Sequence, residues 1–365
     1  MKKVLLMGFT KIAYMPYMNF YLEALDGADA EIHVVKWQRD QEADIALGDD
    51  RVVVHEFART QADEVAKFSK IGNFLKYRAF VKRLLKRMGF DRIIVLHTLP
   101  GVLIADVLLR KYREKFILDY RDYTYESFSP FKKLIGALVN ASYETFVSSD
   151  AFREALPKVS KVYTSHNLLV DSLNHRDVRS AQSREHTPIR IAFWGFIRHE
   201  AINREIIRKL GNDDRFELHY YGREQQTALN LKAFTAENNY KNVVFHGRYK
   251  PEDRYDFAAK TDILHNMYEN DMGTTRAMGN KYYDGLVFRI PQVCNIIGSY
   301  MGERVVDDGV GIALDPFEDL FPERLYEYYS TMDWQSFASN CDLALKRVVD
   351  EYEEGKRIIR GFIEK

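Results

Sequence analysis

Residues 189–210 read IRIAFWGFIRHEAINREIIRKL. The first eight form a short apolar run, too brief for a buried helix and rich in β-branched and aromatic residues, so it reads as a strand. Gly195 allows a tight turn, and from Ile202 to Leu210 apolar residues recur at helical spacing. Strand, glycine turn and helix make the repeating unit of an α/β sheet, and the unit recurs on both sides of this stretch.

Upstream, KKVLLMGF (2–9), EIHVVKW (31–37), RVVVHEF (51–57), RIIVLH (92–97), KFILDYRD (115–122), FVSSD and KVYTSHN (161–167) read as strands. Between them lie helical patterns: MNFYLEAL, a long stretch ending at Met88, PGVLIADVLLRKYR and FKKLIGALVNASYE. Downstream, FELHYYG (216–222), NVVFHG (242–247), TDILHNM (261–267) and IPQVCNII are strand-like, while AFTAENN, RYDFAAK and TRAMGNKYYDGL are helical. From Asp333 onward the chain reads as helix, with Gly355 as its weak point. Such alternation predicts parallel sheets covered on both faces. The polar stretch DSLNHRDVRSAQSREHTP (171–188) has no structural period and reads as a linker. The expected fold is therefore α/β, with two Rossmann-like doubly wound domains facing a cleft. Their bounds are residues 1–170 and 189–332, with the linker at 171–188 and a helical segment at 333–365. A length of 365 residues suits two domains.

Composition excludes several classes. Lysine plus arginine equals aspartate plus glutamate at 53 each, which argues against a basic nucleic-acid binder. Cys294 and Cys341 have no metal-ligand spacing, and two cysteines make no disulfide framework, so a reducing compartment is expected. The N-terminal apolar run is too short for a signal sequence, and no run of about 18 apolar residues could span a bilayer. The expected location is cytoplasmic. G-x-G-x-x-G, G-K-[ST], H-E-x-x-H and G-x-S-x-G motifs are all missing.

Two stretches carry chemistry. In WGFIRHEAIN (194–203), Gly195 turns the chain and Arg198 stands ahead of a helix, where a phosphate or diphosphate would be received. An arginine simply solvated on a strand-to-helix loop has the same pattern. In NDMGTTRAMGNKYYD (270–284), Gly273, Thr274 and Thr275 follow a strand and could cradle a phosphate. Lys281 adds charge, and Asp284, one turn on, could accept hydrogen bonds from a ribose diol. The plain alternative is a surface salt bridge between Lys281 and Asp284.

The order WGFIRHEAINREII, HYYGR, NVVFHGRY, TDILHN, NKYYDGLVFRIPQV and GVGIALDP, across residues 189–316, resembles the donor domain of GT-B glycosyltransferases. The likeness is to the family-4-like kind that builds capsular and surface polysaccharides. KKVLLMGF, VLHTLPGVL, ILDYRDYTYE and FVSSDAFREALPK match the other half more loosely. The resemblance implies that Arg198 and Lys281 bind the diphosphate of a UDP- or GDP-sugar donor and that Asp284 holds the ribose. Gly247 and Tyr249 would face the base, with Gly195, Gly273, Thr274 and Asn280 completing the donor set. It implies no metal and no other cofactor, and a C-terminal segment that packs back on the first domain. Retaining relatives carry an E-x7-E pair whose first position falls at Arg276 here, which leaves the stereochemical outcome open.

On the acceptor side, His97, Asp122, Glu126 and His166 stand at strand exits, where a base could deprotonate a sugar hydroxyl. A cap or a salt-bridge partner looks the same in sequence. Residues 65–90 carry Lys67, Lys70, Lys76, Arg78, Lys82, Arg83, Lys86 and Arg87 with no acid. Tyr77, Phe80, Val81, Leu84, Leu85 and Met88 form one apolar stripe among them, which could pack on the sheet or lie on an anionic membrane beside a glycan or lipid-linked acceptor. Besides a glycosyltransferase, a GT-B nucleotide-sugar epimerase and a non-catalytic nucleotide-sugar-binding scaffold fit the same residues.

Overall fold

In a computed structural model of the chain, residues 1–61, 70–178, 188–271, 273–295 and 298–365 are described. They form two compact units, Met1–His166 with Asp350–Lys365, and Asn167–Val349. The first unit's strands are β1 (Lys2–Met7), β2 (Ala30–Gln38), β3 (Val52–Ala58), β4 (Arg92–Leu96), β5 (Phe116–Tyr120), β6 (Thr145–Val147) and β7 (Val162–Thr164). All pair in parallel, in the order β3-β2-β1-β4-β5-β6-β7. The second unit's strands are β8 (Ile189–Trp194), β9 (Phe216–Tyr221), β10 (Val243–Gly247), β11 (Ile263–Asn266), β12 (Gln292–Cys294) and β13 (Gly311–Ala313). They too are parallel, in the order β10-β9-β8-β11-β12-β13. Each sheet reverses its strand order once, between β1 and β4 and between β8 and β11. In doubly wound sheets ligands bind at the carboxyl ends of the strands beside that reversal.

The helices of the first unit are α1 (Met18–Ala24), α2 (Ile71–Met88), α3 (Thr98–Leu103), α4 (Ala105–Lys111) and α5 (Ser129–Ala141). Those that follow are α6 (Glu200–Leu210), α7 (Gln226–Glu237), α8 (Arg254–Ala258), α9 (Asn280–Val287), α10 (Tyr300–Asp307), α11 (Phe321–Ser330) and α12 (Trp334–Glu364). Where the sequence suggests one helix over PGVLIADVLLRKYR, the structure breaks it at Ile104. The Arg78 guanidinium donates to the Leu103 carbonyl and grips Asp106 at 2.9 Å, which takes that carbonyl from the helical ladder. TRAMGNKYYDGL likewise becomes helical only from Asn280, because Gly279 is extended. Of the expected linker, 171–178 belong to a short 3-10 helical segment, Val170–Val178, and 179–187 lie outside the described residues.

The α2 stripe is mostly spent on the sheet. Tyr77, Val81, Leu84 and Leu85 are buried, and Tyr77 stacks on Trp37 at 5.7 Å. Arg78 and Lys82 pair with Asp106, Arg83, Lys86 and Arg87 face solvent, and Lys67 lies outside the described residues. α12 begins in the second unit, and its last stretch belongs to the first. There Gly355 proves to be a contact rather than a weak point: a Cβ would stand 2.7 Å from the Phe20 ring and 3.2 Å from Phe146. Tyr352 packs on Phe20 at 4.8 Å, and Arg92 donates to the Phe362 carbonyl at 2.8 Å. Both cysteines are buried, and neither is in a disulfide.

One arrangement occurs in both sheets. Glu31 and His33 on β2 meet His55 on β3, with His33 Nε2 2.9 Å from Glu31 and His33 Nδ1 2.9 Å from His55 Nε2. In the second unit His219 Nε2 lies 3.0 Å from Glu217 on β9, and His219 Nδ1 lies 2.8 Å from His246 Nε2 on β10. The two imidazole pairs share one geometry, 5.1 Å between ring centroids and 12° between planes.

Candidate functional site

At the end of β8, Gly195 turns the chain with φ 122, a backbone angle that L side chains rarely adopt. Gly222, just past β9, comes so close that a Cβ there would stand 2.2 Å from the Gly195 carbonyl oxygen. The loop that follows is tied to the sheet by one asparagine. Asn203 Nδ2 donates to the carbonyls of Arg198 (2.8 Å) and His199 (3.0 Å), and its Oδ1 accepts from His265 Nε2 at 3.0 Å. His265 Nδ1 accepts the Met267 amide at 3.1 Å, so both ring nitrogens have fixed roles and the imidazole is neutral. Burial drives its pKa down to about 3. His199 sits at φ 64, a strained angle for a non-glycine residue at the head of α6. The Arg198 guanidinium is exposed and lies 4.7 Å above the Phe196 ring.

Lys281 and Asp284 share a face of α9, and both are buried, so they form no surface salt bridge. Asp284 Oδ2 accepts from Trp194 Nε1 at 2.8 Å, and its Oδ1 is 3.6 Å from Arg254. Burial raises its pKa, while Arg254 and the Trp194 bond pull it back. Lys281 turns the other way, donates to the Tyr268 hydroxyl and rests 4.0 Å from the Phe193 ring centroid. Burial pushes its pKa down to about 7, with Arg198 pressing in the same direction and Asp284 opposing. Such a lysine changes charge near neutrality.

Tyr249 packs edge-on against Phe257 at 5.1 Å, and burial with Asp284 nearby lifts its phenol to about 12. Gly247, at φ 77, gives its carbonyl to the Gly222 amide at 2.9 Å. These two residues, Trp194, Arg254 and Asp284 thus lie at one end of the sheet. Gly273 and Thr274 are differently engaged. Both their amides donate to Asp271 Oδ1, at 2.7 and 2.8 Å, so the donors that could cradle a phosphate are occupied by a carboxylate. Asn280 is exposed at the first position of α9. Among the described residues no three His, Cys, Asp or Glu side chains are placed to hold a metal ion.

In the first unit, His97 directly follows β4 at φ 92, and its Nε2 is 2.9 Å from Asp122 Oδ2. A carboxylate only accepts, so Nε2 carries the hydrogen and Nδ1 holds the lone pair, toward the Leu99 amide at 3.4 Å. Glu126 is drawn elsewhere. It is buried, accepts from the Tyr120 hydroxyl at 2.9 Å and also receives the Thr124 amide, closing its own loop. His166 pairs with Glu351 at 2.8 Å. Sequence reasoning passed over Asp119 and Arg121, a buried pair at 2.8 Å whose guanidinium also donates to Ser165 (2.9 Å) and covers the Tyr17 ring at 4.0 Å. It also missed Trp194, Arg254, Tyr268 and Asn203, whose bonds to Asp284, Lys281 and His265 span 13 to 90 residues of chain.

No protein-family model matches this chain, and no curated protein sequence does. Solved structures do. Sucrose-phosphate synthase of Thermosynechococcus elongatus is similar with a TM-score of 0.73 at 11% identity, covering 100% of both chains. HepE of Anabaena, solved with UDP and glucose, scores 0.66 at 15% identity over 97% of this chain and 98% of its own. A glycosyltransferase of Rickettsia africae scores 0.67 at 11% identity over 100% and 99%. At such identities the likeness shows the fold: two parallel-sheet α/β domains of the GT-B type, seen in solved glycosyltransferases. Among the described residues no helix is long and apolar enough to cross a membrane.

Proposed function

We propose that this chain is a glycosyltransferase that moves a sugar from a nucleotide-sugar donor to a glycan or lipid-linked acceptor in surface polysaccharide synthesis. The observation that carries the reading is the buried Asp284, fixed by Trp194 at the end of β8, with the buried Lys281 one turn away on α9. Asp284 accepts hydrogen bonds from the ribose hydroxyls. The exposed Arg198 and the buried Lys281 receive the diphosphate, where the attraction is strongest as the departing oxygen gains charge. With two cations meeting that charge, transfer needs no divalent ion. Gly247 and Tyr249 face the base. UDP is the favoured nucleotide, because HepE, which shares the fold, is solved with UDP and with UDP-glucose.

In the transfer, an acceptor hydroxyl oxygen bonds to the anomeric carbon while the bond from that carbon to the diphosphate breaks. The electron pair leaves with the diphosphate, and the hydroxyl proton passes to a base. His97 is our choice for that base, since Asp122 fixes its tautomer and leaves the lone pair on Nδ1, which the Leu99 amide meets only at 3.4 Å and would yield to an acceptor hydroxyl. Glu126, with both oxygens engaged, serves the loop instead. The expected cytoplasmic setting belongs to this reading.

Calorimetric titration with UDP and GDP, with and without EDTA, tests it. UDP should bind the wild type, keep its affinity in EDTA and bind about 100-fold more weakly to Lys281→Ala, the loss of a charged contact of about 2–3 kcal/mol. Because the free lysine changes charge near pH 7, binding should take up a proton above that pH and weaken as pH rises. Absence of binding by either nucleotide would sink the reading.

A further inference from the structure

The edge of the first sheet has a feature that sugar transfer does not use. A groove of about 580 Å3 runs between β3 and α2, lined by Val54, His55 and Glu56 on one side and Phe80, Arg83, Leu84 and Arg87 on the other. Three consecutive strand residues point alternately to opposite faces of a sheet. A groove that all three line therefore follows the free edge of the strand rather than either face. Among the described residues β3 is the terminal strand and pairs only with β2, so half of its backbone donors and acceptors have no described strand beside them.

Soluble proteins usually blunt such an edge with lysine, proline, a bulge or a very short strand. β3 uses none of these. Its sequence VVVHEFA is seven residues long, and Val53 and Val54 are 44% and 40% exposed. The facing wall is cationic. Arg83 and Arg87 lie one turn apart on α2 and are exposed, and among the described residues neither meets a carboxylate. Glu56, the one acid of the groove, is held by Lys36 at 3.1 Å. Like charges at this spacing repel each other on a helix, which an anionic occupant would relieve. His55 is fixed from behind by the buried His33.

We propose that this groove is a docking site for an extended acidic segment of a partner protein, which adds to β3 as a further strand. Its backbone pairs with the free edge of β3, its apolar side chains rest on Val54, Phe80 and Leu84, and its carboxylates meet Arg83 and Arg87. A strand supplies what the site offers, a row of hydrogen bonds beside alternating apolar and charged positions. An anionic membrane competes for the same cations, but most of the α2 apolar stripe is already buried on the sheet.

The probe is a fluorescein-labelled peptide of alternating Val and Glu, with a Val–Lys peptide as counterpart, titrated by anisotropy into the full chain. The Val–Glu peptide should bind, the Val–Lys peptide should not, and Arg83→Gln/Arg87→Gln should weaken binding at least tenfold. Arg208→Gln, on the second unit's surface, should bind as wild type does. Bound peptide should slow amide exchange in residues 52–58. If the double variant folds poorly, Arg87→Gln alone and a salt series carry the same test, with affinity falling as salt rises. Binding that ignores the arginines and salt, or leaves residues 52–58 unprotected, overturns the proposal. So does retention on phosphatidylglycerol vesicles by a chain that does not bind the peptide, which would assign the cations to lipid.

Discussion

The outer strand pairs of the two sheets have the same glutamate–histidine–histidine chain but different surroundings. In the first unit His33 is 1% exposed, hydrogen-bonds squarely to Glu31 and stands edge-on to Phe90. Its outer partner, His55, opens onto the cationic groove beside a straight seven-residue edge. In the second unit His219 is partly exposed, and its Nε2 lies near Glu217 but off the hydrogen-bond direction. There His246 falls at an irregularity between Phe245 and Gly247 and stacks on the Tyr221 ring at 4.1 Å. A bulge twists an edge away from new partners. The comparison teaches that the same polar staple can sit behind a straight edge or an irregular one, and that the neighbouring residues decide which.

The largest expected effect separates the units outright. Gly222→Ala places a Cβ against backbone that cannot yield, and should cost the second unit about 3 kcal/mol or more while abolishing nucleotide binding. Gly355→Ala presses on the Phe20 ring instead and should cost the first unit about 1–3 kcal/mol. Urea unfolding followed by hydrogen exchange would show which sheet opens first; one pattern for both variants would contradict the two-unit picture.

Next come the staples themselves. His33→Ala leaves a cavity and deprives Glu31 and His55 of a partner, a loss of about 2–3 kcal/mol. His219→Ala, in its wetter position, should cost about 1 kcal/mol. Equal losses would mean that the surroundings do not matter.

The smallest effect is on pH dependence. Burial, then His33 and Arg87, lowers the His55 pKa; burial, then His219, lowers that of His246. A histidine whose folded pKa is depressed contributes stability above the ordinary value of about 6.5, and loses it as pH falls through the folded value. Melting temperature should therefore decline on mild acidification. His55→Gln and His246→Gln should each flatten that decline by at most about one proton. A slope untouched by both variants would place the acid sensitivity elsewhere.

Much of the fold was legible because β1, β4, β5, β8 and β11 are short apolar runs, a pattern that needs no partner to be read. Lys281 and Asp284 could be placed on one helix face from their spacing alone. Their burial could not, since it depends on Trp194 and Arg254, 90 and 30 residues away. Gly273 and Thr274 had the composition of a phosphate loop, but a nearby carboxylate, Asp271, fits the same amides. Local sequence names the donors; it cannot say which acceptor reaches them first. The paired staples did leave a trace, Glu-x-His in EIHVV and again in ELHYY. It becomes meaningful only once β2 and β9 are known to hold equivalent places in their sheets.

The last stretch of α12 sets a timetable for synthesis. The ring of Phe20 and the start of β4 at Arg92 wait for Tyr352, Gly355 and Phe362. Roughly 180 residues of the second unit are translated between His166 and Asp350. At 5–20 residues per second the ribosome needs about 10–40 s to make them. For that interval the N-terminal sheet emerges with its covering helix still unmade, and it is then that a chaperone would find it.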